Sequence, residues 1–478
     1  MARARSVFCC TECGTQQPRY LGRCPGCGGW ETLVEEPVGG VGSGAATAPL
    51  VATGKGSAAG RGVVALAAVD ADAAPRIPSG LPELDRVLGG GLVPGSVVLI
   101  GGEPGIGKST LSLQIAARRG GTAGALLYVT GEESLEQVRL RAERLGDIPP
   151  ALLALSETRL EALAAPWREH RPEVVVIDSI QTLRTDRVES AAGSVAQVRE
   201  CAAQLAATAK SEGTVLILVG HVTKEGTLAG PRVLEHLVDV VLTFEGDRGT
   251  SFRLLRATKN RFGSTQEVGI FTMGEKGLDA VENPSELFLA ERHAGAPGSC
   301  IVPIMEGTRP VLLEVQALVA PAGYGTARRT TIGIDDARVA LLLAVLDRHS
   351  EIDLLSCDVY VNVVGGVRVA EPAADLGVAL ALASSRLDRA LPSDVAACGE
   401  VGLGGEVRRV ARLDQRLREA GRLGFGRVLV PTRAAGDGSL AEMAGPRATG
   451  VSPVGIAHVG EAVRWLFENA GTRPREHS

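Results

Sequence analysis

The chain has 478 residues, 45% of them apolar and 22% charged, with a formal charge of 50 − 55 = −5. That length accommodates two to four domains, each with its own core. The charge excludes a polycationic coat protein but leaves room for a local nucleic-acid site. Aromatic residues are only 3%, so the cores must be built from Ala, Val, Leu and Ile. The longest apolar runs, such as Val97–Ile100 and Val215–Val219, are strand-sized, far short of the roughly 18 residues that span a bilayer. Arg3 and Arg5 lead straight into cysteines, without the apolar stretch of a signal peptide. The expectation is a cytoplasmic protein with no membrane contact.

Residues 1–36 read as a cysteine-rich knob with the spacing Cys10-x2-Cys13-x10-Cys24-x2-Cys27. Each pair brackets a tight turn, so four thiolates can converge on one tetrahedral Zn²⁺. Cys10 rather than Cys9 keeps the spacing to Cys13. Such a closed site is structural and does not identify a reaction. Residues 37–75 read as a flexible linker, since 25 of the 39 are Gly, Ala, Pro or Ser. Residues 76–283 alternate β-branched apolar runs with helical segments, which predicts an α/β domain with a mostly parallel sheet. Residues 284–478 read as a second mixed α/β domain.

The strongest chemical signal begins at Val97. The strand VVLI runs into Gly102-Glu103-Pro104-Gly105-Ile106-Gly107-Lys108-Ser109, then Thr110 and a helical run. Strand, glycine loop and helix together predict a phosphate-binding loop for ATP or ADP. Its backbone N–H groups and the helix N-terminus face the phosphates. Lys108 is assigned to the β/γ-phosphates and Ser109 to Mg²⁺. The strand in EVVVIDS ends at Asp178, the second candidate for Mg²⁺. The strand in LLYVTGEES ends near Glu132 and Glu133, either of which can activate the attacking water; Glu132 is favoured. VLILVGHVTKEG releases His221, Thr223 and Lys224 into a glycine loop suited to sensing the γ-phosphate, or to a plain solvated turn. The segment 248–263 carries Arg248, Arg253, Arg256, Lys259 and Arg261 without an acid. It suits DNA phosphates, a neighbour's ATP, or a basic edge strand.

These residues together resemble the bacterial RadA (Sms) family of RecA-like DNA-repair ATPases. The cysteine knob, GGEPGIGKST, YVTGEES, VVVIDSIQT, SVAQVRE, VGHVTKEG, LAGPRVLEH and KNRFG look like that family in order, and KNRFG is the most specific. The resemblance implies a DNA-dependent ATPase that acts on single-stranded and branched DNA. It implies branch migration beside the RecA recombinase, and a hexameric ring with ATP at subunit interfaces. It assigns Lys259 and Arg261 of the motif Lys259-Asn260-Arg261-Phe262-Gly263 to coupling ATP use to DNA, beside the ATP-sensing candidates His221 and Lys224. The C-terminal domain resembles the proteolytic domain of Lon, but Ala373 stands at the serine position and Arg409 at the lysine position. Neither supplies a nucleophile or a base, so no peptidase activity is expected. The stretch 404–433 holds eight Arg against three acids. It reads as a helix, fit either for phosphate binding or for a solvated face. A Lon-type protease and a KaiC-type switch are the competing readings.

Overall fold

The apolar runs of the sequence form the middle of a nine-stranded sheet in this computed structural model. The structure describes residues 6–10, 16–26, 28–30, 32–37, 50, 75–119, 124–220, 233–246, 252–323, 327–432 and 450–472. Of the predicted site residues, Cys13, Cys27, His221 and Lys224 lie outside them. So do Thr223, Arg248, Arg433 and nearly all of the linker. Two units are delimited, Met1–Val281 and Glu282–Ser478.

The first unit opens with a three-stranded antiparallel sheet in the order β2-β1-β3, made of β1 (Ser6–Cys10), β2 (Gln16–Gln17) and β3 (Leu33–Pro37). Then come α1 (Pro82–Leu88), β4 (Val97–Gly102), α2 (Lys108–Arg119), β5 (Leu126–Thr130), α3 (Leu135–Leu145) and β6 (Leu152–Ser156). They are followed by α4 (Ala164–His170), β7 (Val174–Asp178), α5 (Val195–Glu212), β8 (Val215–Val219) and α6 (Val233–Leu237). Strands β9 (Val240–Glu245), β10 (Phe252–Asn260), β11 (Val268–Gly274) and β12 (Gly277–Ala280) complete the unit. The sheet order is β12-β11-β10-β9-β4-β8-β7-β5-β6. It is parallel from β9 to β6 and antiparallel from β9 to β12.

The central strands are apolar throughout because both faces are covered. Successive side chains point to opposite faces. Val98, Ile100, Tyr128, Val176 and Ile217 join a core with α1, α2 and α3. Val97, Leu99, Val129, Val175 and Leu216 join a second core with α4 and α5. Each such aliphatic side chain contributes about 1.5–3 kcal/mol by burial. Ser134 caps α3 in a reciprocal box with Gln137, and Ser194 caps α5. Leu50 donates its N–H to Thr208 Oγ1 on α5 at 2.8 Å.

The second unit contains α7 (Pro284–Leu289), β13 (Ser299–Glu306), β14 (Arg309–Pro321), β15 (Arg329–Ile332), α8 (Asp336–Ser350), β16 (Cys357–Val363) and α9 (Asp375–Leu387). Short strands follow: β17 (Arg389–Ala390), β18 (Val395–Ala397), β19 (Glu400–Val401) and β20 (Val407–Arg408). Then come α10 (Leu413–Arg422), β21 (Arg427–Pro431), β22 (Ser452–Ile456), α11 (Val459–Asn469) and β23 (Gly471–Thr472). Seven strands form one mixed sheet in the order β15-β16-β14-β13-β18-β21-β22.

Two expectations about basic segments change. The stretch 404–433 is not one helix: the helix Leu413–Arg422 lies between the strands β20 and β21. Arg412 in the left-handed region (φ 54) and Gly424 (φ 84) bound it. Its charges are also spent locally. Arg408 pairs with Glu406, Arg418 with Asp414, Arg422 with Glu419 and Arg427 with Asp394. Arg416 is fully buried against Glu371. Secondly, β10 is not an edge strand, because β9 and β11 flank it. Its Arg256 pairs with Glu245 at 2.9 Å, and Arg261 just beyond it pairs with Asp239 at 3.1 Å.

Candidate active site

Parallel pairing brings the ends of four strands into one row. Ile100 pairs with Val219, Val219 with Asp178, and Asp178 with Thr130. The segments after these residues therefore leave from the C-terminal edge of the sheet, where open α/β sheets place their ligands. The loop after β4 carries the glycine motif. Gly105 holds φ 79, and a Cβ there would meet nothing within 4 Å. The glycine is required by its backbone, and the space beside it is open. Helix α2 begins at Lys108 with no acid in its first turn. Its positive N-terminal end is thus uncompensated by its own side chains.

Lys108 is only 4% exposed. Its Nζ donates to the carbonyls of Gly102 at 2.8 Å and Glu103 at 2.9 Å. Burial lowers its pKa, and the charges of Asp178 and Glu132 work against that shift. All three charged groups therefore share one neighbourhood. Ser109 and Thr110 follow on the first turn of α2, half-buried.

Asp178 is held by a group on the neighbouring strand: the Tyr128 hydroxyl donates to its Oδ2 at 2.5 Å. Burial, reinforced by the Asp178 charge, pushes the Tyr128 phenol well above its usual pKa. The two glutamates after β5 part company. Glu132 is exposed and accepts from Ser179 Oγ, beside Asp178, at 2.7 Å. Glu133 turns away to an ion pair with Arg141 of α3. Gly131 sets this divergence. Its N–H donates to the Asp178 carbonyl at 3.0 Å, and a Cβ would lie 1.9 Å from Thr182 Oγ1. Only glycine lets the segments after β5 and β7 approach so closely.

The KNRFG residues lie elsewhere, at the far end of β10. Lys259 Nζ donates to the carbonyls of Glu235 at 2.6 Å and Val238 at 2.7 Å, capping the C-terminal end of α6. Burial, then repulsion from Arg261, lowers its pKa. Asn260 Nδ2 donates to the Val87 carbonyl of α1 at 3.3 Å, and Phe262 packs on the core around α1. Gly263 lies against Gly89, just past α1. The motif thus ties two helix ends to one strand.

In the N-terminal sheet, Cys10 and Cys24 share a small core with Leu33. Each belongs to a different predicted pair. The Gly26 N–H donates to Cys24 Sγ at 3.4 Å. Sequence reasoning missed Tyr128 and Ser179, and it placed Arg253 in a basic segment open to DNA phosphates or a neighbour's ATP rather than at the chain's own glycine loop. Arg253 is buried, with Nε donating to the Ile106 carbonyl of the glycine loop at 3.3 Å. A tyrosine inside an otherwise aliphatic strand was a usable signal, since a buried phenol needs a partner.

Three family models match the chain. The rubredoxin metal binding domain covers residues 8–35, the AAA domain 64–227, and the Lon protease (S16) C-terminal proteolytic domain 347–448. The chain is 49% identical over 469 residues to the DNA repair protein RadA of Bacillus subtilis, covering 97% of this chain and 99% of that protein. It is 49% identical over 470 residues to the DNA repair protein RadA of Pseudomonas aeruginosa, covering 98% of this chain and 100% of that one. The protein of the same name from Streptococcus pyogenes serotype M1 is 47% identical over 469 residues, 98% of this chain and 100% of its own. With its metal-binding, AAA and Lon-type segments in this order, the chain belongs to the RadA family of DNA repair proteins.

Proposed function

We propose that this chain is a DNA-dependent ATPase of recombinational repair. It processes recombination intermediates and promotes branch migration of RecA-mediated strand exchange. It does so as a ring-shaped, helicase-like hexamer on single-stranded and branched DNA in the cytoplasm. The observation that carries the reading is the row Ile100, Val219, Asp178 and Thr130. That row presents a phosphate loop, a carboxylate and a glutamate together, in a chain whose relatives are named for DNA repair. Among the described residues, no helix is long and apolar enough to cross a membrane.

The loop Gly102–Thr110 receives the phosphates of ATP and keeps ADP after hydrolysis. Lys108 exchanges its loop carbonyls for the β- and γ-phosphates. Ser109 and Asp178 offer the hard oxygen donors that suit Mg²⁺. Bound there, the ion neutralises charge on the phosphates. Glu132 orients the attacking water and takes its proton. Glu133 positions α3 through Arg141. His221 and Lys224 sense the γ-phosphate, and Lys259–Gly263 pass its state to DNA. The caps that Lys259 and Asn260 place on α6 and α1 support that route, since α6 follows the segment 221–232 in sequence.

Residues 1–36 form a zinc finger with Cys10, Cys13, Cys24 and Cys27 as ligands. The shared core of Cys10 and Cys24 supports that assignment. Residues 37–75 link it to the ATPase core of 76–283. The Lon-like domain of 284–478 cleaves no peptide, because Ala373 carries no nucleophile. It scaffolds the ring.

Phosphate release measured with and without single-stranded DNA tests the reading. Turnover should rise several-fold with DNA and vanish in Lys108→Ala. Turnover indifferent to DNA, with casein degraded in the presence of ATP, would sink it.

A further inference from the structure

Tyr128 is not assigned by the motifs, yet it makes the closest described side-chain contact to Asp178. Its ring is 1% exposed and packs in the core beneath α2. The hydroxyl donates to Asp178 Oδ2 at 2.5 Å. Ser112 of α2, also buried, donates its hydroxyl to the Ser109 carbonyl at 3.1 Å. Asp178, at the end of β7, is one of the two residues read above as magnesium-facing.

We propose that Tyr128 is a positioning residue for the metal: it occupies one oxygen of Asp178 and turns the other toward the ion's hydration shell. Three physical points carry this. A carboxylate at the end of a strand rotates freely unless one oxygen is fixed. A buried phenol with a carboxylate partner is a charge-assisted donor, and such bonds are short and strong. The donor belongs to a strand paired with β7 along its whole length, so it cannot drift relative to Asp178. Groups that orient a metal-facing side chain typically account for about 10- to 100-fold in metal affinity or activity.

The inference rests on the ATPase reading, and the test separates the two. The full chain is titrated with Mg²⁺ in the presence of a fluorescent, non-hydrolysable ATP analogue. The readout is the free Mg²⁺ that gives half-maximal tight binding. Tyr128→Phe keeps the ring and removes the hydroxyl. It should raise that concentration about 10- to 100-fold, with affinity for the analogue in EDTA unchanged within about two-fold. In an Asp178→Asn background, Tyr128→Phe should add nothing, because the group it positions is gone. Unchanged magnesium demand in Tyr128→Phe overturns the proposal, as does an independent loss in the Asp178→Asn background. A wild-type chain whose analogue binding ignores Mg²⁺ fails the ATPase reading itself.

Discussion

Single residues separate roles that their neighbours in sequence obscure. Glu132 and Glu133 are adjacent, but one faces Ser179 and the other Arg141. Glu132→Gln should lower DNA-stimulated turnover by about 10²–10⁴-fold, the usual weight of a lost general base, while nucleotide affinity is retained. Glu133→Gln removes only a partly exposed ion pair worth about 0–1 kcal/mol, so its turnover should stay within a few-fold of wild type. Steady-state phosphate release on both variants checks the contrast, and equal losses would contradict the assignment. The scattered cysteines Cys201, Cys300, Cys357 and Cys398 are all buried. Burial pushes the thiols of Cys201, Cys300 and Cys398 up to about 12. A raised pKa keeps them protonated at pH 8, where an ordinary thiol with pKa about 8.5 is already partly thiolate. Iodoacetamide at pH 8 should therefore leave all three unlabelled in the native protein and label them in urea, as read by peptide mass spectrometry.

At the scale of elements, the Lon-like unit contains an ion pair made by a fully buried arginine. Arg416 of α10 donates Nη1 to the Pro303 carbonyl at 2.6 Å and to Glu371 Oε2 at 3.1 Å, and Nε to the Ala411 carbonyl at 3.0 Å. Glu371 sits immediately before the turn that contains Ala373 and also accepts from the Met305 N–H at 2.8 Å. Arg416→Ala leaves the Pro303 and Ala411 carbonyls without their donor and that partly exposed carboxylate without its cation, at a cost of about 1–3 kcal/mol. Denaturant unfolding should show this unit melting early, and Arg416→Met combined with Glu371→Leu should recover part of the loss. This pair was not legible in the sequence, where Arg416 is one of eight arginines in a basic run. Its partner lies 45 residues away, and linear spacing reveals only neighbours on the same helix. The strands of the first unit were legible for the opposite reason. Val97–Ile100 and Val174–Ile177 are apolar at every position because both faces are covered, and that needs no knowledge of partners. The phosphate loop is equally local. Tyr128 with Asp178, and Lys259 with the end of α6, are contacts between segments, which a linear pattern does not encode.

At the scale of the whole molecule, basic runs have turned into internal ion pairs. Arg408, Arg416, Arg418, Arg422 and Arg427 all have carboxylate partners, and the chain carries −5 overall. Any DNA contact led by the remaining cations meets the phosphate backbone, so DNA stimulation should be strongest at low salt and fall between about 50 and 200 mM, through release of counterions. With 3% aromatics, stacking platforms are scarce, so poly(dT) and mixed-sequence strands should stimulate alike. Turnover measured across a salt series on both DNAs tests this, and a flat salt response would contradict it. The flush row of strand ends has a mechanical consequence. Parallel main-chain pairing and two separate cores clamp that row, so it can bend only by breaking its own ladders. It acts as an anvil. Any movement that reports the state of the nucleotide must begin in what leaves the row, and two such segments among the described residues are Gly131–Ser134 and Ser179–Thr182. Those two segments touch at Gly131 and Thr182, so a displacement of one is felt by the other before it reaches any helix.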